Sequence, residues 1–368
     1  MKFSIDKTDF TKALKRICGV CTNKSSFQIL SSCRIAAVGK AVTIMATDLD
    51  ITLRIVVDAN VTEEGTAIVS AKQLLDTVQN QSAFDVNIEA SGERLFVKAG
   101  NFRASIQKGL ESEYPDLEFP DTDFAITMDA IQLKGLIDKT LFSVSKDDSR
   151  PDFTGAFMSI DKKGLVQMVS TDGHRLSLAK ATAHVDGDVP SAFEQGIIIP
   201  RKGLMELAKS LIEGDALLDM NGSKLFVVSG QNTFNIKLIA GQFPNFSNVI
   251  PRSFAHECIV RRESLIGLLK RASIFAPKTG LVVMSISRNT LEISTSDPQA
   301  GEMHDHIDAD HDTSDSVQIG FNHEYIIEAL SVIDEDDVLI RLNDEESPAV
   351  LRASCDDECD FIIMPMQL

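Results

Sequence analysis

The chain has 368 residues, 43% of them hydrophobic, with six cysteines and a formal net charge of −18. That is more chain than one core usually holds and points to two or three domains. No apolar run reaches about eighteen residues, which excludes a membrane-spanning helix, and the acidic balance excludes nucleic-acid binding unless the cations gather on one surface.

The opening Met1-Lys2-Phe3-Ser4-Ile5-Asp6 lacks the charged-then-apolar pattern of a signal peptide, so a cytoplasmic protein is expected. There, Cys18, Cys21, Cys33, Cys258, Cys355 and Cys359 are expected as free thiols rather than a disulfide framework. Cys18-Gly19-Val20-Cys21 lacks the further ligands that a structural zinc needs.

Taken in chain order, residues 3–17 read as a short strand and then an amphipathic helix. Phe10, Leu14 and Ile17 recur at the helical period, which turns Lys12, Lys15 and Arg16 the other way. A second unit follows in residues 68–106. Its helix sets Lys72 opposite Leu74, and its alternating strand Leu95-Phe96-Val97-Lys98 follows a turn at Ser91-Gly92-Glu93.

Both units return. Adding 123 to Ile5, Phe10 and Leu14 gives Met128, Leu133 and Ile137, with Lys139 at the place of Arg16. Adding 130 to the second unit turns Leu74, Asp85, Gly92 and Leu95-Phe96 into Leu204, Asp215, Gly222 and Leu225-Phe226. Lys202 then matches Lys72, and Lys209 joins it. Adding 255 to the first unit gives Val260, Leu265 and Leu269, with Lys270 and Arg271 at the places of Lys15 and Arg16. A looser second unit closes the chain over residues 317–366, with a helix near 325–332 and a strand Val338-Leu339-Ile340-Arg341-Leu342. Its helix breaks the pattern, because His323 and Glu324 stand where a cation is expected.

This periodicity predicts an α+β protein of three tandem domains, at 1–121, 122–252 and 253–368, each with two helices and two antiparallel sheets. The boundaries fall near Asp121-Thr122-Asp123 and Arg252-Ser253. Recurrent cations on equivalent helices add into one field if those helices line a single concave surface. The acid, as in Asp334-Glu335-Asp336-Asp337, then covers the rest.

Thr171-Asp172-Gly173-His174-Arg175 invites a hydrolase reading, with His174 as base and Asp172 as its orienting partner. The repeats argue otherwise. Thr47-Asp48 and Ser296-Asp297 stand at the corresponding places with no histidine after them, so a hydrogen-bonded turn is expected. His174 and Arg175 then suit binding. His304 and His306, with Asp308, Asp310, His311 and Asp312, are a candidate metal cluster against which a polar edge strand is weighed and preferred. No phosphate-binding glycine loop occurs, and no cofactor, metal or catalytic residue is expected. The C-terminus stays apolar through Met364-Pro365-Met366-Gln367-Leu368, beyond the point where a strand passes a proline. Met366 and Leu368 are therefore candidates for an adaptable binding wall.

Met1-Lys2-Phe3, Thr47-Asp48-Leu49, Thr171-Asp172-Gly173-His174-Arg175-Leu176, Pro200-Arg201-Lys202-Gly203, Gly241-Gln242-Phe243-Pro244 and Met364-Pro365-Met366, in this order and spacing, resemble the bacterial β sliding clamp family, the β subunit of DNA polymerase III. The likeness runs the whole chain. It implies a non-catalytic processivity factor: a head-to-tail homodimer whose six domains close a ring around duplex DNA, with helices inside and sheets outside. By family position Arg103, Ile274 and Phe275 lie at the subunit contact. Lys24, Lys72, Arg150, Arg201, Lys202, Asn322 and Tyr325 face DNA, largely through phosphates and without regard to sequence.

The resemblance also implies a peptide-binding cleft built from Phe153, Thr171, Gly173, His174, Arg175, Leu176, Pro244, Val249, Ile362, Met364, Pro365, Met366 and Leu368. The DNA polymerase III catalytic subunit, the clamp loader complex, and other polymerases and repair proteins with clamp-binding motifs are its expected partners. Gln367 and Asn248 stand where many members have arginine, Pro348 replaces a serine, and Gln28 and Ser31 interrupt a Pro-x-x-Gly stretch. Loss of the two cleft arginines is expected to weaken acidic motifs. Beside the clamp stand two alternatives, a His/Asp-dependent hydrolase and a peptide-binding scaffold that encircles nothing.

Overall fold

The computed structural model describes residues 1–21, 27–117, 119, 124–311, 316–355 and 358–368. Lys24, Asp312 and the boundary stretch Asp121-Thr122-Asp123 lie outside them. The described residues hold seven α-helices: α1 (Lys7–Val20), α2 (Ala71–Gln79), α3 (Ala130–Leu141), α4 (Ser191–Gln195), α5 (Arg201–Ala208), α6 (Arg262–Ala272) and α7 (His323–Leu330). None of them is long and apolar enough to cross a membrane.

The first of two compact units comprises Met1–Lys134, Ala183–Glu194 and Lys202–Leu238. Its fourteen strands form one antiparallel sheet. In order these are His184–Val185, Ile126–Asp129, Asp215–Asn221, Lys224–Ser229, Asn232–Lys237, Ile51–Asp58, Ala41–Thr47, Ser32–Val38, Gly65–Ser70, Phe102–Gly109, Arg94–Ala99, Asp85–Ser91, Lys2–Asp6 and Asn60–Glu63. Helix α1 starts where the sequence places it, because Asp6 accepts the amides of Thr8 and Asp9 at 2.7 and 3.0 Å and caps the first turn. Phe10, Leu14 and Ile17 are fully buried beneath it, and Phe10 meets Phe3 edge to face with ring centroids 6.2 Å apart.

The second unit comprises Gly135–Thr182, Gln195–Arg201 and Ile239–Leu368. Its eight-stranded sheet runs Ile197–Pro200, Gly155–Ile160, Leu165–Thr171, Arg175–Thr182, Cys359–Ile363, Ala349–Ala353, Asp337–Leu342 and His256–Arg261. A four-stranded sheet runs Gly301–Asp308, Thr290–Asp297, Leu281–Ser287 and Val317–Asn322. Residues of the expected central domain thus enter both units.

The repeat read from the sequence is present in the backbone. The first amide of α1, α3 and α6 donates in each case to a loop carbonyl about eighty residues on: Lys7 to Phe84, Ala130 to Gly214 and Arg262 to Asp336, all at 2.8 Å. The second junction repeats too. Strand Asn232–Lys237 pairs with Ile51–Asp58 in the first unit, and Cys359–Ile363 pairs with Arg175–Thr182 in the second. Just past these pairings Lys237 N donates to Asp50 O at 2.8 Å, and Met364 N to His174 O at 2.9 Å.

All six cysteines are free thiols. Burial pushes Cys18 up to about 11, and Cys21 and Cys258 up to about 12, so these thiols stay protonated and unreactive at neutral pH. Cys355 is exposed. Titration of the native protein with a disulfide dye near pH 8 is expected to show one fast thiol per chain, lost in Cys355→Ser. Two or more fast thiols would contradict this burial pattern.

Candidate functional site

The turn after strand Leu165–Thr171 is built by two side chains. Thr171 Oγ1 donates to Arg175 O at 2.7 Å and accepts from Gly173 N at 3.0 Å. Asp172 Oδ1 accepts from His174 N at 2.9 Å and Arg175 N at 3.0 Å. Gly173 at φ +92° supplies the left-handed step. The same device recurs at Thr47-Asp48, where Leu49 N reaches Thr47 Oγ1 at 3.0 Å, and Asp50 N and Ile51 N reach Asp48 Oδ1 at 3.1 and 2.7 Å. Asp297 accepts from Gln299 N and Ala300 N at 2.7 and 3.0 Å. Asp172 is therefore engaged as a turn carboxylate, bonded to the main chain around His174, and the hydrolase reading loses the orienting partner it requires.

Its second oxygen meets Arg175 Nε at 3.1 Å, and Arg175 is the hub of the site. Only 10% of the Arg175 side chain is exposed. The guanidinium ion-pairs with Glu328 on α7, donates to Phe142 O at 3.0 Å, and lies between the rings of Tyr325 and Phe142, 4.4 and 5.1 Å from their centroids. The exposed His174 ring stacks on Tyr325 with centroids 6.4 Å apart. Burial, then the neighbouring Asp172 carboxylate, push the Tyr325 phenol above its ordinary value. Tyr325, expected to face DNA, is thus held against His174 and Arg175.

Below the turn lies an apolar floor of Val169, Leu176, Leu178, Val350 and Ile362, with Phe157, Phe243, Phe246, Ile250 and Phe254 half-buried on it. Phe243 meets Phe157 at 5.4 Å, Phe153 at 6.2 Å and Phe246 at 6.4 Å between centroids. Pro244 and Val249 are exposed beside them. Arg150, also expected to face DNA, lies over the Phe153 ring at 3.7 Å. At the C-terminus Met364 is exposed and Leu368 is 64% exposed. Half-buried Met366, next to Pro365, donates its amide to Gly320 O at 2.8 Å. A side chain at Gly320 would meet Met366 O at 2.6 Å, so the tail's path requires glycine there. Of the proposed wall, Leu368 is largely exposed although its Cδ2 lies over Gly320, while Met366 is tied to the sheet by its amide.

Phe142, Phe157, Phe246, Val350 and Glu328 belong to this arrangement and were not singled out from the sequence, and Phe243 was quoted there only within a family motif. The Phe243-x-x-Phe246 pair beside Pro244 was a usable signal. Glu328 was a weaker one, three residues after Tyr325 on one helical face.

The helix cations fare unevenly. Lys12, Lys15, Lys72 and Lys270 are exposed, as expected. Arg201 is half-buried, with its Nε buried and unbonded. Lys202 does not point freely outward: it ion-pairs with Asp48 and donates to Val20 O at 3.1 Å, capping the C-terminus of α1. Arg16 reaches Asn232 at 3.2 Å, Lys209 bonds Glu206 at 2.7 Å, and Arg271 bonds Asp305 at 2.8 Å. His323 is buried against Gly280 O at 2.8 Å and does not stand on the outward face assigned to it. Asn322 caps α7 by accepting Glu324 N at 2.9 Å.

Arg103 is exposed on strand Phe102–Gly109, Ile274 is 70% exposed just after α6, and Phe275 is half-buried. Among the described residues no group of three or more His, Cys, Asp or Glu side chains is placed to hold a metal ion. His304 faces Glu292 at 3.4 Å on a strand at the sheet's edge.

Comparison with known proteins covers the whole chain. The models of the N-terminal, central and C-terminal domains of the DNA polymerase III β subunit match residues 1–118, 127–245 and 247–367. The β sliding clamp of Pseudomonas aeruginosa is 27% identical over 376 residues, covering all of both chains. That of Haemophilus influenzae is 29% identical over 376 residues, again covering all of both. The crystal structure of the DNA polymerase III β subunit from Pseudomonas aeruginosa superposes with a TM-score of 0.92 at 26% identity over the full length of each chain.

Removing the hub leaves Asp172 and Glu328 without their cation. Arg175→Met is expected to cost about 3 kcal/mol of stability, read by urea denaturation. A loss within experimental error of zero would show that the hub carries no load.

Proposed function

Because the chain belongs to the DNA polymerase III β-subunit family, we propose that it encircles duplex DNA as a head-to-tail homodimer of six domains and tethers other replication and repair proteins through short peptides. It is a sliding clamp of three tandem clamp domains, a processivity factor for DNA polymerase. The observation that carries the working site is the apolar floor beneath the Thr171–Arg175 turn, walled by the C-terminal strand. A floor of aliphatic side chains with half-buried aromatics offers pockets for the apolar anchors of a linear motif. The turn's backbone and His174 offer the few polar groups that orient it.

The proposed cleft comprises Phe153, Thr171, Gly173, His174, Arg175, Leu176, Pro244, Val249, Ile362, Met364, Pro365, Met366 and Leu368. Tyr325 joins it on the strength of its stacking on His174, and Arg150 joins it through Phe153. The DNA polymerase III catalytic subunit, the clamp loader complex, and other polymerases and repair proteins are its proposed partners. Exposed Lys72, with Lys12, Lys15 and Lys270 on other helices, supports a positively charged lining whose phosphate contacts are individually weak. Lys24, Arg150, Arg201, Asn322 and Tyr325 complete the proposed DNA-facing set. Lys202 takes a structural share, since Asp48 and the end of α1 occupy its ammonium.

We place the protein in the cytoplasm, and we infer that it has no active site of its own, so that ring opening falls to an external loader. Asp172's commitment to the main chain supports that inference. Arg103 on one copy and Ile274 and Phe275 on the other are the proposed subunit contact.

The ring is tested on DNA. Once placed on nicked circular DNA by a loader and ATP, the dimer is expected to stay bound at salt concentrations that strip it from the same DNA once linearised. Equal loss from both forms would leave only the scaffold reading. Motif preference is tested by fluorescence titration. With Asn248 and Gln367 in place of arginines, a neutral peptide is expected to bind more tightly than an acidic one. Asn248→Arg is expected to raise affinity for the acidic peptide about threefold, and equal affinities throughout would contradict the assignment.

A further inference from the structure

The register of the eight-stranded sheet sets an acidic turn beside the apolar floor. Arg175 pairs with Ile363, and Ile363 with Ala349, so these residues stand in one row across neighbouring strands. The turn that ends at Arg175 and the turn of residues 344–348, just before Ala349, therefore lie side by side at one end of the sheet. The C-terminal tail leaves between them. The next row inward runs Leu176, Ile362, Val350, Arg341 and Glu257. Residues paired directly across an antiparallel ladder project from the same face. The floor of Leu176, Ile362 and Val350 thus passes straight into a charged border, all within the second unit.

The arginines of that face are already neutralised. Arg341 Nε meets Glu257 at 3.1 Å, Arg352 meets Asp360 at 2.6 Å, and Arg175 is held by Asp172 and Glu328. Arg150 lies across the Phe153 ring. The turn itself carries acid. Asp344 Oδ1 accepts Glu346 N at 3.0 Å and Ser347 N at 2.7 Å. The Ser347 hydroxyl, together with those amides, holds the Asp344 carboxyl below its ordinary range. Asn343 pins the turn to the segment before the strand His256–Arg261, accepting Ala255 N and donating to Ser253 O, both at 2.9 Å. Asp344 is committed to the main chain, and Glu345 and Glu346 stand exposed beyond it.

We propose that this cleft selects linear motifs carrying a lysine or arginine beside their apolar anchors, and that Glu345 and Glu346 read that charge. The proposal rests on the peptide-cleft reading above and names the class of peptide the cleft takes. Charge complementarity favours this occupant: the fixed cations of the face are spent on its own carboxylates, while the pinned turn holds two carboxylates out to solvent.

The reach is short. An extended peptide advances about 3.3 Å per residue, so an anchor seated on Val350 and Ile362 sets its neighbours beside residues 344–348, the turn that leads into Ala349. A basic side chain suits that place, because its methylene stem can lie along apolar surface while its charged head stays in water near a carboxylate. Half-buried Pro348 supplies such surface at the end of the turn. A glutamate at the same place would face like charges, which a specific interface uses to reject wrong partners.

Fluorescence titration of the full chain with a matched peptide set tests this. The peptides share a glutamine and apolar anchors and differ in the residues flanking those anchors: lysine, glutamine or glutamate. At low salt the lysine peptide is expected to bind about threefold more tightly than the glutamine peptide, and the glutamate peptide about threefold more weakly. Both gaps are expected to narrow as salt is raised. In the double variant Glu345→Gln, Glu346→Gln the affinities are expected to converge, and in Glu345→Lys, Glu346→Lys their order is expected to reverse. Equal affinities for the wild type, or an order that neither variant moves, overturns the proposal and leaves the cleft in place. Failure of every peptide to bind the wild type overturns the cleft reading and the proposal with it.

Discussion

The site depends on one backbone pairing. Strand Cys359–Ile363 adds to Arg175–Thr182, and the next amide, Met364 N, bonds His174 O. That junction brings the last residues of the chain to a turn nearly two hundred positions earlier. It also buries Leu176 and Ile362 in one apolar layer. The first unit makes the same junction between Asn232–Lys237 and Ile51–Asp58, yet there the turn carries Leu49 at φ +80° where the second has Gly173. A glycine at that place leaves the turn's backbone open to an approaching chain. Leu49, 57% exposed, puts a side chain at the same place. The duplicated turn thus presents different groups to solvent in the two units.

Much of this was legible in the sequence because periodicity is a direct record of burial. Phe10, Leu14 and Ile17 are all buried as their spacing requires. The repeat of a hydroxyl residue and aspartate identified a turn before any geometry was known, and Asp48, Asp172 and Asp297 each accept two amides there. What spacing does not record is the partner across the fold. Lys202 occupies the same helical position as Lys72, but Asp48 stands in reach of one and leaves the other exposed. Tyr325 and Arg150 were assigned to DNA by position alone. The structure sets their rings and charges against His174 and Phe153. His323 interrupts the cationic pattern because it is a core residue bonded to Gly280, which a helical wheel of polar residues does not reveal.

The net charge of −18 is compatible with holding DNA on the proposed ring, because such a hold would be topological. A closed ring needs no tight phosphate contact. Weak contacts from exposed lysines would then allow sliding, while excess acid on the rest of the surface would discourage other binding. The same economy of cations extends to the turn site. Arg175 is satisfied by Asp172 and Glu328, which leaves the groove's preference to apolar fit and to the few polar groups at its rim.

Encirclement and peptide capture are separate properties of one chain, and removal of residues 364–368 separates them most directly. Binding of a fluorescent peptide with a glutamine and apolar anchors would be measured for the full and shortened chains, together with retention on linear duplex DNA whose ends are blocked after the chains have threaded on, which needs no loader. The account predicts that the shortened chain loses the peptide and keeps its hold on the end-blocked duplex. Undiminished peptide binding by the shortened chain would contradict it.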